Sequence, residues 1–337
     1  MEKISIVVPV YNVEKYIRKC LDSLVSQSYD NYDIYVVNDG SPYNEQSIID
    51  EYVGKYPNLI KSFVKENGGY GSVLELAFNT SDSDYVLICD PDDYLDENCL
   101  KTLMAYKKDC DLVIGAKNLV YKDNDEVRYN PSYNETFGIV KDKKIYKRGT
   151  NDFNALYFVE PSPHAKLYKR DIVKDIKFPK NVSYTDSLLY FYTLTKVNTV
   201  TYCKEPLSYY LINRTGNSRS DVNPNTIDMY VTVFNSLLDQ VNDCDDIFYF
   251  RMFEAFYYIF YKVDFINGNM DVQREKYELL YSFLYRLIPY KDKILPLSKK
   301  YMHDNFIVAV QKNCLLSTRA SKRMYSMLIE KRLINHN

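Results

Sequence analysis

The sequence predicts an α/β protein, with a mostly parallel sheet flanked by helices and an α-helical C-terminal extension. Apolar runs of strand length alternate with apolar positions at helical spacing over the first ninety residues. Polar residues punctuate the end of each apolar run. Beyond Asn225 the apolar positions take helical spacing, and few helix breakers intervene.

The alternation can be followed in chain order. Strands are expected at residues 4–10, 34–37, 59–64 and 85–89, with helices between them over residues 13–25, 48–56 and 73–78. Such alternation implies parallel strands covered by helices on both faces. Ligands bind at the carboxyl ends of the strands in sheets of this kind, so the residues after positions 10, 37, 64 and 89 are the candidates for a site.

The chain of 337 residues is long for one compact domain, and we expect two, at 1–222 and 223–337. Residues 117–147 show only weak alternation, which indicates irregular strands or hairpins. A formal charge of −2, with 46% hydrophobic and 26% charged residues, is typical of an ordinary globular protein. This composition argues against a nucleic-acid partner and against intrinsic disorder.

The sequence also indicates in which cellular compartment the protein is expected. Seven cysteines without a C-x-x-C pair argue against a zinc site and a disulfide scaffold. The N-terminal apolar run is too short for a signal peptide, and no stretch reaches the eighteen apolar residues that cross a bilayer. We therefore expect a cytoplasmic protein, with any membrane contact peripheral and at the inner face of the membrane.

The first expected strand ends in Pro9-Val10-Tyr11-Asn12 and lacks the glycines of a dinucleotide-binding turn. This difference argues against a hydride-transfer enzyme. Tyr11 can stack on a nucleobase, and Asn12 can cap the following helix. A simple turn and cap explains the tetrapeptide equally well.

The second and third strands are followed by further candidates. Asp39, in Asn38-Asp39-Gly40-Ser41, can accept a hydrogen bond from a base, although the segment is also a good turn. Asn67-Gly68-Gly69 lies before an expected helix N-terminus, where glycines let the backbone approach a ligand. An ordinary loop remains the alternative.

The strongest signal is Asp90-Pro91-Asp92-Asp93, which places three carboxylates directly after an apolar strand. Their mutual repulsion is costly without a cation, and oxygen ligands of this kind suit Mg²⁺ or Mn²⁺. The alternative is an aspartate-rich turn that caps a following helix.

In their order and intervals these motifs resemble the family 2 inverting glycosyltransferases with the GT-A fold, over about residues 1–220. The resemblance implies that Asp39 holds the base, that Asp90 contacts ribose or metal, and that Asp92 ligates the metal, Mn²⁺ or Mg²⁺. The donor-binding residues that it implies are Pro9, Tyr11, Asn12, Asp39, Asn67, Gly68, Gly69, Asp90, Arg214 and Ser218.

Later segments extend the resemblance. Pro163–Arg170 is similar to the family's W-x-K-L-Y element, with His164 in place of the tryptophan, and the implied acceptor contacts are Asp93, His164 and Lys166. Residues 183–189 resemble the Glu-Asp pair that opens a helix, with Thr185 replacing the glutamate. Asp186 stands at the position of the catalytic base. Its alternative is an ordinary aspartate at a helix N-terminus.

Two further segments bear on the donor's diphosphate. Residues 209–218 are similar to the family's Y-Y-R-x-R-x-x-S loop, in which Arg214 and Ser218 would clamp the diphosphate. A basic surface loop is the alternative. Residues 71–75 lack the Ala-Arg-Asn element of many relatives, so one expected contact to the diphosphate or sugar is missing.

The resemblance implies transfer from a nucleotide-diphosphate sugar, with a UDP-sugar expected, to a saccharide acceptor carried on lipid or protein. The C-terminal extension would build the acceptor side or a homo-oligomer contact, and its basic stretch at 299–337 raises peripheral membrane contact as an alternative. Two other functions stay open. One is a non-catalytic accessory subunit, and the other is a nucleotidyltransferase, which would normally need a Gly-rich, basic first turn.

Overall fold

The computed structural model describes residues 1–213, 224–262 and 270–301, and divides the chain into two compact units, Met1–Asn217 and Ser218–Asn337. The strands are β1 (Ile4–Val10), β2 (Tyr32–Asn38), β3 (Ile60–Val64), β4 (Tyr85–Ile88), β5 (Tyr94–Leu95), β6 (Leu112–Tyr121), β7 (Glu126–Asn130), β8 (Ile145–Lys147), β9 (Lys166–Lys169) and β10 (Thr199–Ile212). The helices are α1 (Ile17–Val25), α2 (Glu45–Lys55), α3 (Tyr70–Thr80), α4 (Cys99–Lys107), α5 (Arg170–Val173), α6 (Thr185–Lys196), α7 (Pro224–Gln240), α8 (Asp246–Lys262), α9 (Met270–Leu287) and α10 (Lys291–Tyr301).

The first unit is built on one sheet, in the order β3-β2-β1-β4-β9-β6-β10-β5. Strands β1 to β4 are mutually parallel, which brings their carboxyl ends to one edge. Strand β9 runs antiparallel between β4 and β6, and β7 forms a hairpin with β6. The expected α/β class is confirmed, and these later strands make the whole sheet mixed.

The centre of the sheet is buried because both faces of β1 are covered. All seven residues from Ile4 to Val10 are buried. Helix α1 packs Ile17, Leu21 and Leu24 into the same apolar cluster as one face of β1, and burial of each such side chain contributes about 1.5–3 kcal/mol. A helix-period stripe on α1 therefore meets a strand that is buried on both faces, as the sequence pattern predicts.

The second unit is helical where it is described, as the spacing beyond Asn225 predicts. Phe234 of α7 stacks on Phe283 of α9 with ring centroids 5.9 Å apart. Lys276 of α9 pairs with Asp228 of α7 at 2.8 Å. Apolar contact and ion pairing thus join α7 and α9. Within the described residues, no helix is long and apolar enough to cross a membrane.

Candidate active site

The loops that follow β1 to β4 open at the same edge of the sheet, because these strands are parallel. At the end of β1, Pro9 is buried, whereas Tyr11 and Asn12 are exposed. Tyr11 is 49% exposed, and Asn12 has a positive φ of 54°, which asparagine tolerates better than most residues. This edge therefore presents an accessible aromatic side chain beside the loop after β2.

The carboxylate of Asp39 is buried and organises the loop after β3. Its Oδ1 accepts hydrogen bonds from the Gly68 amide at 3.0 Å and from Lys65 Nζ at 2.5 Å, and its Oδ2 accepts one from the Gly69 amide at 2.8 Å. Asp39 is only 3% exposed. The structure thus shows Asp39 fixing the loop 65–69, and its contact with a base stays a prediction.

Glycine is required at two positions of this edge. Gly40 has φ 68°, and a Cβ there would lie 3.0 Å from the Asn67 amide nitrogen. Gly69 has φ 83°, and a Cβ there would lie 3.0 Å from the Asn181 amide nitrogen. Asn181 in turn donates a hydrogen bond to the carbonyl of Gly68 at 2.8 Å. The loops at 38–41, 67–69 and 181–182 therefore touch through backbone, which side chains would keep apart.

The acidic turn follows β4 at the centre of the sheet. The Asp93 amide closes the turn by donating to the Asp90 carbonyl at 2.9 Å. Asp90 and Asp92 are half-buried, and Asp93 is buried. The hydroxyl of Tyr70, at the start of α3, donates to Asp90 Oδ1 at 2.8 Å. Two of the three aspartates are thus partly accessible, and one is held by a tyrosine from the neighbouring loop.

Asp93 is held from two directions. Its Oδ1 accepts from the Leu211 amide at 2.7 Å, and its Oδ2 lies 2.6 Å from Nε2 of His164. Burial, and then the negative charges of Asp92 and Asp90, raise the pKa of Asp93 well above its ordinary value. The third aspartate of the motif is therefore a buried brace between the turn and β10.

One group of side chains in the described residues could hold a metal ion. Ligand atoms of Asp90, Asp93 and His164 lie within 4.8 Å of one another. Carboxylate oxygens are the ligands that Mg²⁺ and Mn²⁺ prefer. Asp93 and His164 are hydrogen-bonded to each other in this arrangement, so they brace the turn here instead of opening toward an ion.

The predicted acceptor residues lie below the surface. Asp93, His164 and Lys166 are at most 5% exposed. The ring of His164 packs against Tyr210, with centroids 4.3 Å apart. Their contact with an acceptor stays a prediction, and their burial favours a supporting role beneath the site.

Lys166 belongs to a buried polar cluster next to Asp186. Its Nζ donates to the Ser162 carbonyl and lies 5.4 Å from the centroid of the Tyr190 ring. Burial, and then the positive charge of Lys117, lower the pKa of Lys166 to about 7, while Glu160 and Asp186 oppose the shift. Lys117 itself donates to Glu160 at 2.5 Å and to Ser162 Oγ at 2.8 Å.

Asp186 lies in the first turn of α6, which Tyr184 enters with φ 67°. The carboxylate is half-buried, and its Oδ1 accepts from the Ser187 amide at 2.9 Å. A helix N-terminus favours negative charge at this position. Burial raises the pKa of both Tyr70 and Tyr168 well above the usual value, and the charge of Asp186 adds to each shift. The charge of Asp186 thus acts on Tyr70, the tyrosine that donates to Asp90.

Two predicted donor residues, Arg214 and Ser218, lie outside the described residues. So does most of the basic stretch at 299–337, of which the structure describes only 299–301.

Sequence reasoning missed two participants, Lys65 and Tyr70. Lys65 donates to Asp39, to Ser72 Oγ at 2.9 Å and to the Glu66 carbonyl at 2.6 Å. Tyr70 reaches Asp90 across twenty residues of chain. The only signal for either was proximity to the Gly68-Gly69 loop, because neither residue type is diagnostic in a sequence rich in lysine and tyrosine.

The comparisons with known proteins agree with this geometry. Residues 5–177 match the family profile described as glycosyl transferase family 2. An uncharacterized glycosyltransferase of Mycoplasma genitalium is 27% identical over 240 residues, which cover 69% of this chain and 76% of that protein. Glycosyltransferase GlyG of Streptococcus pneumoniae is 30% identical over 192 residues, or 55% of this chain and 62% of the relative.

The fold is also found among solved structures. Residues 1–349 of Staphylococcus aureus TarS, in complex with UDP-GlcNAc, superpose with a TM-score of 0.67 at 22% identity, covering 88% of this chain and 87% of that one. The mannosyltransferase PcManGT of Pyrobaculum calidifontis, in complex with GDP-Man and Mn²⁺, gives a TM-score of 0.53 at 14% identity and covers 98% and 86%. These likenesses establish a shared GT-A fold.

Proposed function

The chain belongs to glycosyl transferase family 2, and from that premise we propose that it moves a sugar from a UDP-sugar to an acceptor hydroxyl of a growing glycan, with inversion at the anomeric carbon. Sugar transfer from a nucleotide sugar follows from the family. The UDP donor, the inversion and the acceptor are the proposed refinements.

The observation that carries the proposal is the set of contacts at the carboxyl edge of β1 to β4. One loop, at residues 68–70, is bound to Asp39 through the Gly68 and Gly69 amides and to Asp90 through the Tyr70 hydroxyl. The exposed ring of Tyr11 lies on the same edge. This arrangement suits a nucleotide whose base stacks on Tyr11 beside Asp39 and whose diphosphate reaches toward the acidic turn.

A divalent cation fits the acidic turn, and we assign Asp90 and Asp92 as its protein ligands. Both side chains are half-buried and offer hard oxygen atoms. Asp93 and His164 hold each other at 2.6 Å, which favours a bracing role for that pair. When bound, Mn²⁺ or Mg²⁺ would supply positive charge against the departing nucleoside diphosphate.

The acceptor side is assigned to Asp186. Its carboxylate would take the proton of the acceptor hydroxyl as that oxygen attacks the anomeric carbon, so no covalent enzyme intermediate is required. The buried Lys166 and Tyr168 lie close enough to interact with its charge.

The UDP donor and the polymeric acceptor draw support from relatives. TarS of Staphylococcus aureus, named a poly(ribitol-phosphate) β-N-acetylglucosaminyltransferase, is 25% identical over 238 residues, which span 39% of that protein. Its N-terminal part has been solved with UDP-GlcNAc. A surface or secreted polymer assembled on a lipid or protein carrier at the inner face of the membrane is the matching acceptor for this chain.

The experiment is a donor screen with the full chain. The protein is incubated with UDP-, GDP- and TDP-sugars, with and without MnCl₂ or MgCl₂, and released nucleoside diphosphate is quantified. We expect release from a UDP-sugar only when a divalent cation is present. Release from a GDP-sugar alone would overturn the donor assignment, and equal release in excess EDTA would overturn the metal assignment.

A further inference from the structure

The loop formed by Gly68, Gly69 and Tyr70 contacts three parts of the proposed site. The Gly68 and Gly69 amides bind Asp39, the predicted base contact. The Gly68 carbonyl accepts from Asn181, in the segment that leads to Asp186. The Tyr70 hydroxyl donates to Asp90 Oδ1 at 2.8 Å. This loop therefore connects the residues proposed to bind the nucleotide, the metal ion and, through Asn181, the segment that carries the proposed catalytic base Asp186.

We propose that Tyr70 is a positioning residue for Asp90, an inference that rests on the proposed function. Its hydroxyl fixes the rotation of the Asp90 carboxylate and so sets where that group meets the cation. A phenol is a neutral donor, so it orients the carboxylate without competing with a cation for its charge. A lysine in the same place would neutralise the ligand, as Lys65 does for Asp39 at 2.5 Å.

The position of Tyr70 is set by close backbone packing. Gly69 precedes it with φ 83° and lies against the backbone at 181–182. Gly71 follows it, and a Cβ there would lie 2.5 Å from Cβ of Phe178. Any residue larger than glycine at either position would push the start of α3 away from its neighbours. The backbone on both sides of Tyr70 is thus held close to neighbouring segments, and from this position its hydroxyl reaches Asp90.

The helix that carries the Ala-Arg-Asn element in many relatives has a different polar contact in this chain. The helix that would carry an arginine begins here with Tyr70. Its hydroxyl supplies a side-chain contact from α3 to the acidic turn.

The test compares Tyr70→Phe with Tyr85→Phe. Both variants remove only a hydroxyl. Tyr85 begins β4, away from the acidic turn, and its hydroxyl donates to the Cys110 carbonyl. Binding of UDP is measured by calorimetry with MnCl₂ and again with EDTA. We expect Tyr70→Phe to weaken UDP binding in Mn²⁺ by about tenfold and to leave binding in EDTA unchanged. Tyr85→Phe should match the parent in both.

Thermal melting of each variant checks that the fold is intact. A merely structural role for Tyr70 would not change the difference between UDP affinity in Mn²⁺ and UDP affinity in EDTA. Equal Mn²⁺-dependent affinities for the parent and Tyr70→Phe would overturn the inference. So would an equal loss in Mn²⁺ and in EDTA. If the parent itself binds UDP no better with Mn²⁺, the proposed metal-dependent function fails instead, and the two failures are thereby distinguished.

Discussion

The carboxylate of Asp93 accepts a hydrogen bond at 2.7 Å from the backbone amide of Leu211, which is 118 residues away in the chain. The other oxygen of Asp93 meets His164 at 2.6 Å. The turn that carries Asp90 and Asp92 is thereby tied to the end of β10, and the tie is buried. The third aspartate of the motif therefore has a different task from the first two.

We expect Asp93→Ala to reduce the free energy of unfolding by about 2 to 4 kcal/mol, because it leaves the Leu211 amide and the His164 ring buried without this hydrogen-bond partner. Asp93→Asn keeps an oxygen for the Leu211 amide and should lose less. Urea unfolding followed by circular dichroism measures both. An equal loss in the two variants would show that the hydrogen bond to Leu211 contributes nothing.

Changing Asp92 to Asn should lower the rate of sugar transfer by about a hundredfold or more. The loss of one negative charge weakens binding of the cation. The developing negative charge of the leaving diphosphate is then poorly neutralised. Initial rates are compared across a Mn²⁺ titration. Asp30→Asn, at an exposed position before β2, is the matched control and should behave as the parent. Full turnover of Asp92→Asn without added metal would contradict the assignment.

For Asp186→Asn we expect unchanged UDP affinity and a loss of transfer of about a hundredfold to ten-thousandfold. The base acts on the acceptor hydroxyl and does not hold the nucleotide. Calorimetry with UDP and a transfer assay with the donor found in the screen give the two numbers. If the variant bound UDP tenfold more weakly than the parent, Asp186 would belong to the donor site.

Lys166 predicts a pH dependence of stability. Burial lowers its pKa to about 7, whereas an unfolded lysine titrates near 10.4. Between these values the unfolded chain binds a proton that the folded protein lacks, so the free energy of unfolding from this group rises with pH, by up to about 1.4 kcal/mol per pH unit. Below pH 7 both states are protonated and the slope disappears.

This slope is measured as a difference between proteins, because other groups also titrate in that range. Urea unfolding at pH 6, 7, 8 and 9 should show the parent gaining stability relative to Lys166→Met between pH 7 and 9. Lys101→Met, at an exposed position of α4, should run parallel to the parent. Parallel curves for the parent and Lys166→Met would mean that Lys166 is charged in the folded protein across the whole range.

The sequence alone predicted which residues lie at the carboxyl edge of the sheet, because strands and helices have local sequence patterns. Side-chain period and burial are coupled within a strand or helix. The apolar run of β1 and the apolar stripe of α1 can therefore be recognised from a few residues of sequence. Parallel strands then bring Tyr11, Asp39 and Asp90 to one edge without further information. The family motifs added expected roles for these residues.

The tertiary structure alone decided which polar groups meet. Asp93 lies next to Asp92 in sequence, yet it is buried, because β9 inserts antiparallel beside β4 and places His164 just before its start. Tyr70 reads as one tyrosine among thirty-five, and only the packing of Gly69 and Gly71 directs it to Asp90. Hydrogen bonds of this kind join residues twenty to more than a hundred positions apart. Local periodicity cannot specify these hydrogen bonds. It indicates which face of an element is buried, but not which distant group forms a hydrogen bond with a buried polar atom.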